Sequence, residues 1–223
     1  MADILIVGDS SVPPREELSY SQTYTYLLKK QFNERSIEVS AVTGNNSRKI
    51  YLNLEPFMLY GCKPNIVILN YGIVDVYPRP YPNMIYRLLL CTGLLTRVDN
   101  FLKKTKLYYT LGDFFKFKEV KLDSFEKYSE GIVSKLLEKD VDKVIIIGII
   151  KPYKILLKSK IINDEIVLYN KIFKKLSTRY SEVTYIDIYN DSDEDFTIWD
   201  GYHYSQKASN YLVDKIKKIV LDD

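Results

Sequence analysis

The sequence predicts an α/β protein built as a three-layer, flavodoxin-like sandwich, with a five-stranded parallel sheet covered by helices on both faces. Two observations carry this. Five short, β-branched-rich apolar runs recur along the 223 residues, at 4–7, 37–41, 66–69, 144–147 and 183–186. Near-continuous apolar runs of this kind mark strands buried on both faces. Each run is also separated from the next by room for a helix, and parallel strands need such a crossover.

In chain order, Ile4-Leu5-Ile6-Val7 is the first strand, and the amphipathic segment 21–32 the helix after it. The strand at 37–41 leads to a helix over 47–59, and the strand at 66–69 follows. Helices over 124–138 and 164–180 then alternate with the strands at 144–147 and 183–186, and a helix over 206–220 closes the chain. One segment, 76–122, breaks the alternation and reads as an insertion. It holds nine basic residues, from Arg79 to Lys121, against Asp99, Asp113 and Glu119, so it is locally +6. It also concentrates aromatics, among them Tyr77, Tyr81, Tyr86, Phe101, Tyr108 and Phe114. Two readings of this cap stand side by side. In one the aromatics form its own core. In the other they line a sugar or acyl site, while the basic residues draw in an anionic substrate or an anionic membrane surface.

Composition limits the function classes. A 46% hydrophobic and 27% charged chain is ordinary globular usage, and 223 residues suit one domain spanning 1–223. Lys plus Arg number 32 and Asp plus Glu 29, a net +3 too balanced to imply a nucleic-acid partner. The apolar run at 4–7 has no basic residues before it and is too short for a signal peptide, so a cytoplasmic location is expected. The richest apolar stretch, 88–95, is interrupted by Thr92 and Gly93, so no membrane span is expected. Cys62 and Cys91 lack C-x-x-C spacing and are expected to be buried small residues, not disulfide or zinc ligands. Neither a P-loop nor a Gly-x-Gly-x-x-Gly turn follows the first strand, so no nucleotide cofactor is expected. The acidic run Asp191, Asp193, Glu194, Asp195 has Phe196 and Tyr202 where a calcium loop needs Gly and Glu, so no metal is expected either.

Open parallel sheets bind ligands beyond the carboxyl ends of their strands. Gly8-Asp9-Ser10, Thr43-Gly44-Asn45-Asn46-Ser47 and Asn70-Tyr71-Gly72-Ile73-Val74-Asp75 follow the first three strands, and Asp200-Gly201-Tyr202-His203 precedes the last helix. All four converge on one edge. His203 is the only histidine. A serine hydroxyl is a poor nucleophile until a base takes its proton, and that base needs a carboxylate to hold its tautomer. Ser10, His203 and Asp200 can supply the three parts, with Asp200 folding back to Nδ1 and Nε2 left to face Ser10.

These residues resemble the blocks of the SGNH (GDSL-like) hydrolase superfamily: an N-terminal Gly-Asp-Ser, a Gly, a Gly-x-Asn-Asp and a C-terminal Asp-x-x-His. The resemblance implies ester or acyl chemistry, with Ser10 as nucleophile, Gly44 as the oxyanion-hole glycine and Asp200 and His203 as the terminal pair. The third block departs from it, since Val74 stands where the family has its oxyanion-hole asparagine. The backbone N–H groups of Ser10 and Gly44 remain as donors, and Asn46 and Asn70, near strand ends, are the polar residues that could replace the third. The expected activity is a serine esterase, with a carbohydrate ester as the first substrate class. An O-acyltransferase acting on a surface-glycan precursor is the alternative within the family, and a non-catalytic glycan- or lipid-binding module the alternative outside enzymes.

Overall fold

The computed structural model describes residues 3–59, 63–156 and 158–221, with the side chains of 55–59 and 83 excepted. Five strands, β1 (Ile4–Gly8), β2 (Ile37–Ala41), β3 (Ile66–Asn70), β4 (Lys143–Ile147) and β5 (Val183–Ile186), form one parallel sheet in the order β2-β1-β3-β4-β5. This is the flavodoxin-like order, in which the direction of winding reverses between β1 and β3 and opens a crevice at their carboxyl ends.

Successive strand residues point to opposite faces, so the apolar runs feed two cores at once. Leu5, Val7, Val67, Leu69, Val144 and Ile146 pack under α2 (Ser47–Leu59), α7 (Leu122–Leu137) and α9 (Ile162–Arg179). Ile4, Ile6, Ile68, Ile145 and Ile147 pack under α1 (Tyr24–Gln31) and α11 (Gln206–Leu221). The three central strands are almost wholly buried, so truncating Leu69 or Ile145 to Ala costs about 2–5 kcal/mol.

The expected strands all form, each within one residue of its predicted range. Helix starts move further. The first helix begins at Tyr24, because Thr23 takes an extended conformation and its Oγ1 accepts the Tyr26 N–H at 3.3 Å, an N-cap. Before it, Tyr20–Gln22 makes a single 3₁₀ turn. At α7 and α9 the start is two residues earlier than predicted.

Beyond β3 the chain forms α3 (Ile73–Val76) and then leaves the sandwich. Arg79 N–H donates to Phe117 O at 2.8 Å, so the segment between them departs and returns at one place. It holds α4 (Asn83–Cys91), α5 (Leu95–Lys104) and α6 (Leu107–Phe115). The aromatics of this insertion divide instead of making one core: Tyr81 and Tyr108 are buried, whereas Phe101 and Phe114 are 63% and 76% exposed. Cys91, expected to be buried, lies exposed at the end of α4, and Cys62 lies outside the described residues. Short helices α8 (Tyr153–Leu156) and α10 (Ile188–Asp191) complete the chain. Among the described residues no helix is long and apolar enough to cross a membrane.

Candidate active site

The turn after β1 is set by close approach. A Cβ on Gly8 would stand 2.4 Å from Val12 Cγ2 and 2.6 Å from Asn70 O, so only glycine lets the chain fold back this tightly against β3. Asp9 then accepts the Ser11 N–H at 2.8 Å, closing an Asx turn that holds Ser10 at the β1/β3 crevice.

The second contributor is the loop before α11. Asp200 Oδ1 accepts the N–H groups of Tyr202 and His203, both at 3.1 Å, while Oδ2 meets His203 Nδ1 at 2.5 Å. Between them Gly201 has φ of 85°, and a Cβ there would lie 2.8 Å from Lys154 Cβ, so a side chain would be both strained and crowded. Burial works against ionisation of Asp200, but the hydrogen bond and charge of His203, with the two N–H donors, outweigh it and hold the carboxyl below its usual range. An ionised carboxylate only accepts, so Nδ1 carries a proton, and in the neutral imidazole Nε2 is left as an acceptor. That nitrogen stands 3.0 Å from Ser10 Oγ. Ser10, His203 and Asp200 are thus brought together in the predicted order of contacts.

Arg15 was not anticipated. Its Nη2 donates to Ser10 O at 2.9 Å and lies 3.1 Å from His203 Nε2. A paired turn, Arg15 N–H to Leu18 O and Leu18 N–H to Arg15 O, fixes its backbone. Nothing in local spacing marks this residue, whose partner is 188 positions away.

The third block acts through Asp75. Its buried carboxyl accepts the Ser47 N–H at 3.0 Å and the Ser47 hydroxyl at 2.6 Å, tying the loop after β3 to the start of α2. Burial pushes this carboxyl up to about 7, and burial likewise pushes Asp9 up to about 6. Gly44, with φ of 75°, sits in the loop that Asp75 anchors.

A cavity of about 320 Å³ opens over these groups, lined by Ser10, His203, Gly44 and Val74. Five tyrosines, Tyr77, Tyr81, Tyr86, Tyr108 and Tyr202, form much of its wall. Arg15, Arg79 and Lys103 face it, and among the described residues Asp99 is the one acidic side chain in its lining.

Neither asparagine proposed for the oxyanion site lines this cavity. Asn46 caps α2, accepting the Lys49 N–H at 2.9 Å and donating to Glu119 at 3.2 Å. Asn70 donates to the Tyr24 hydroxyl at 3.2 Å and accepts from the Tyr204 hydroxyl at 3.1 Å. Both amides are buried and committed to these bonds. In the acidic run, Asp193 pairs with Lys207 and Asp191 with Lys215.

No protein-family model and no curated protein sequence matches this chain. Solved structures do match. An acetyl xylan esterase superposes with a TM-score of 0.66 at 18% identity, covering 98% of this chain and 100% of that one. A lipase/acylhydrolase from Enterococcus faecalis gives 0.65 at 14% identity over 99% and 95% of the two chains. A lipolytic G-D-S-L protein from Veillonella parvula gives 0.60 at 11% identity over 97% and 96%. The chain therefore has the α/β fold of the SGNH (GDSL-type) hydrolases.

Proposed function

We propose that this chain is a serine ester hydrolase in which Ser10 is acylated, His203 is the general base and acid, and Asp200 orients the imidazole. The observation that carries this reading is the continuous relay from Asp200 Oδ2 to His203 Nδ1 at 2.5 Å and from Nε2 to Ser10 Oγ at 3.0 Å. Such a relay activates a hydroxyl that is otherwise unreactive.

In the reaction, Ser10 Oγ attacks the ester carbonyl as its proton passes to Nε2. The N–H groups of Ser10 and Gly44 receive the negative charge that forms on the carbonyl oxygen. The tetrahedral species collapses with Nε2 protonating the leaving alcohol. Water then enters, gives its proton to Nε2, and attacks the acyl-Ser10 ester to release the acid and restore the hydroxyl. Throughout, the Asp200 carboxylate offsets the positive charge on the imidazolium.

The cavity favours an acylated carbohydrate as substrate. Tyrosines offer flat apolar faces with hydroxyl edges, suited to sugar rings, and Arg15 and Lys103 favour one that carries negative charge, whereas Arg79 is already paired with Glu119. Ester hydrolases, acetyl xylan esterases among them, occur among the structural neighbours, which agrees with this reading. A fluorophosphonate probe tests it. Rapid labelling of the native chain, lost in Ser10→Ala, is the expected result; an unlabelled native chain, with no release of nitrophenol from an activated acetyl ester, would overturn it.

A further inference from the structure

We propose that the helical cap formed by α4, α5 and α6 docks onto an anionic lipid surface. The first observation is an apolar stripe turned outward on each helix. Amphipathic helices ordinarily bury this stripe. Here Met84 and Leu88, one turn apart on α4, are 79% and 63% exposed. Leu94 and Phe101, two turns apart at α5, are 44% and 63% exposed, and Leu107 and Phe114 on α6 are 44% and 76% exposed.

The second observation is the sorting of charge. Arg87, Arg97, Lys103, Lys104, Lys106 and Lys116 are exposed on the same helices and their ends. The two acids of this segment are held by polar partners: Asp99 accepts from the Tyr81 hydroxyl, and Asp113 accepts from the Ser159 hydroxyl at 2.5 Å and the Lys160 N–H at 2.6 Å. Lys106 and Lys116, with φ of 60° and 54°, even hold the left-handed conformation in which glycine or asparagine is usual. Lysines thus occupy both ends of α6 in spite of their backbone geometry.

An anionic bilayer surface satisfies both features together. Large apolar side chains enter the boundary between headgroups and acyl chains, while Lys and Arg meet the headgroup charge. A second copy of the chain is a poorer occupant, because a symmetric interface would set the same cations against one another. Nucleic acid would meet the cations but leave the apolar stripes without a counterpart. The attachment is peripheral. Tyr86, Lys103 and Tyr108, which line the cavity, belong to these helices, so docking carries that wall of the cavity to the interface.

Sedimentation of the full chain with vesicles tests the proposal. Binding is expected to equimolar phosphatidylglycerol and phosphatidylcholine, and to be weaker by about tenfold or more on pure phosphatidylcholine or in about 0.5 M salt. Met84→Asp with Phe114→Asp, both at exposed positions, should abolish binding while the circular dichroism stays native, and Arg97→Gln, Lys104→Gln and Lys106→Gln together should weaken it about tenfold or more. The proposal is overturned if anionic vesicles do not retain the chain, or if they retain the Met84 and Phe114 variant equally well. A dimer dispersed by that variant, without vesicle binding, would overturn it too and assign the surface to a second copy.

Discussion

Arg15 Nη2 lies 3.1 Å from His203 Nε2, the nitrogen that also faces Ser10 Oγ at 3.0 Å. Two donors therefore share one lone pair while the imidazole is neutral. Once Nε2 takes the serine proton, the guanidinium faces a cation and is driven to turn its N–H groups elsewhere. Its Nε is buried and has no hydrogen-bond partner among the described residues, which adds to that tendency. The nearest developing negative charge is on the reacting ester. Arg15→Gln should therefore lower kcat on an activated ester by about 10²–10³, the usual loss for an oxyanion donor, with a smaller change in KM. Steady-state kinetics decide it; an unchanged kcat would leave Arg15 only a tie on the Ser10 carbonyl.

The proposed roles of Ser10 and His203 make them one unit, so either replaced by Ala should lose several orders of magnitude in kcat, and by similar factors. Asp200→Asn keeps a side chain of the same shape but no longer fixes Nδ1–H, and should lose most activity as well. Native circular dichroism in all three variants is expected, because Ser10 and His203 sit at the crevice and not within either sheet core. A variant of Ser10 that kept native turnover would remove it from the mechanism.

Asp75 and Asp9 set a pH dependence of stability. Burial raises the first to about 7 and the second to about 6 in the folded protein, whereas the unfolded chain has ordinary carboxyls near pH ~4. Between these limits the folded state binds more protons than the unfolded one. Stability from these groups is therefore fully present below about pH 4 and is lost as pH rises through about 6 to 7, at up to about 1.4 kcal/mol per pH unit for each group while it titrates. Asp200, held low, works in the opposite sense and loses its contribution only in stronger acid. Thermal melts from about pH 8 down to 5 should show a rising Tm, and Asp75→Asn should flatten the rise. A Tm that falls over this range in the native chain would contradict the assignment.

Much of this was legible in the sequence for a physical reason. Strands buried on both faces are forced into continuous apolar runs, so β1, β3 and β4 could be read directly. The half-exposed β2 and β5 carry polar residues and were legible from their β-branched residues and their spacing along the chain. The relay was legible because one histidine leaves one base to place, and Asp-x-x-His is a local turn. Contacts between distant polar residues left no such trace. Ser47 with Asp75, Arg15 with His203, and Asn70 between Tyr24 and Tyr204 each join residues by tertiary packing alone. The aromatics of 76–122 were ambiguous in the same way. Composition marked a basic, aromatic insertion but not which side chains met the sandwich, and in the fold Tyr81 and Tyr108 line the cavity while Phe101 and Phe114 face outward.

Val74 lines the cavity where the SGNH pattern has a donor asparagine, and valine cannot donate. Three residues can be tested as its replacement, and the structure separates them. Asn70 holds two buried hydroxyls, so Asn70→Ala should lower stability by about 1–3 kcal/mol per hydroxyl left unpaired, with kcat of the folded fraction preserved. Asn46 caps α2, so Asn46→Ala should cost about 1 kcal/mol and likewise spare kcat. Arg15 is the donor beside the nucleophile, and its loss should be rescued by restoring an amide where the pattern has one. Val74→Asn is therefore expected to change little in the native chain but to recover about tenfold in kcat in the Arg15→Gln background, given imperfect placement. Equal gains in both backgrounds would mean that Arg15 does not serve the oxyanion and that the site works with the Ser10 and Gly44 amides alone. A drop of about 10² in kcat for Asn46→Ala or Asn70→Ala, without matching destabilisation, would return the donor role to that asparagine.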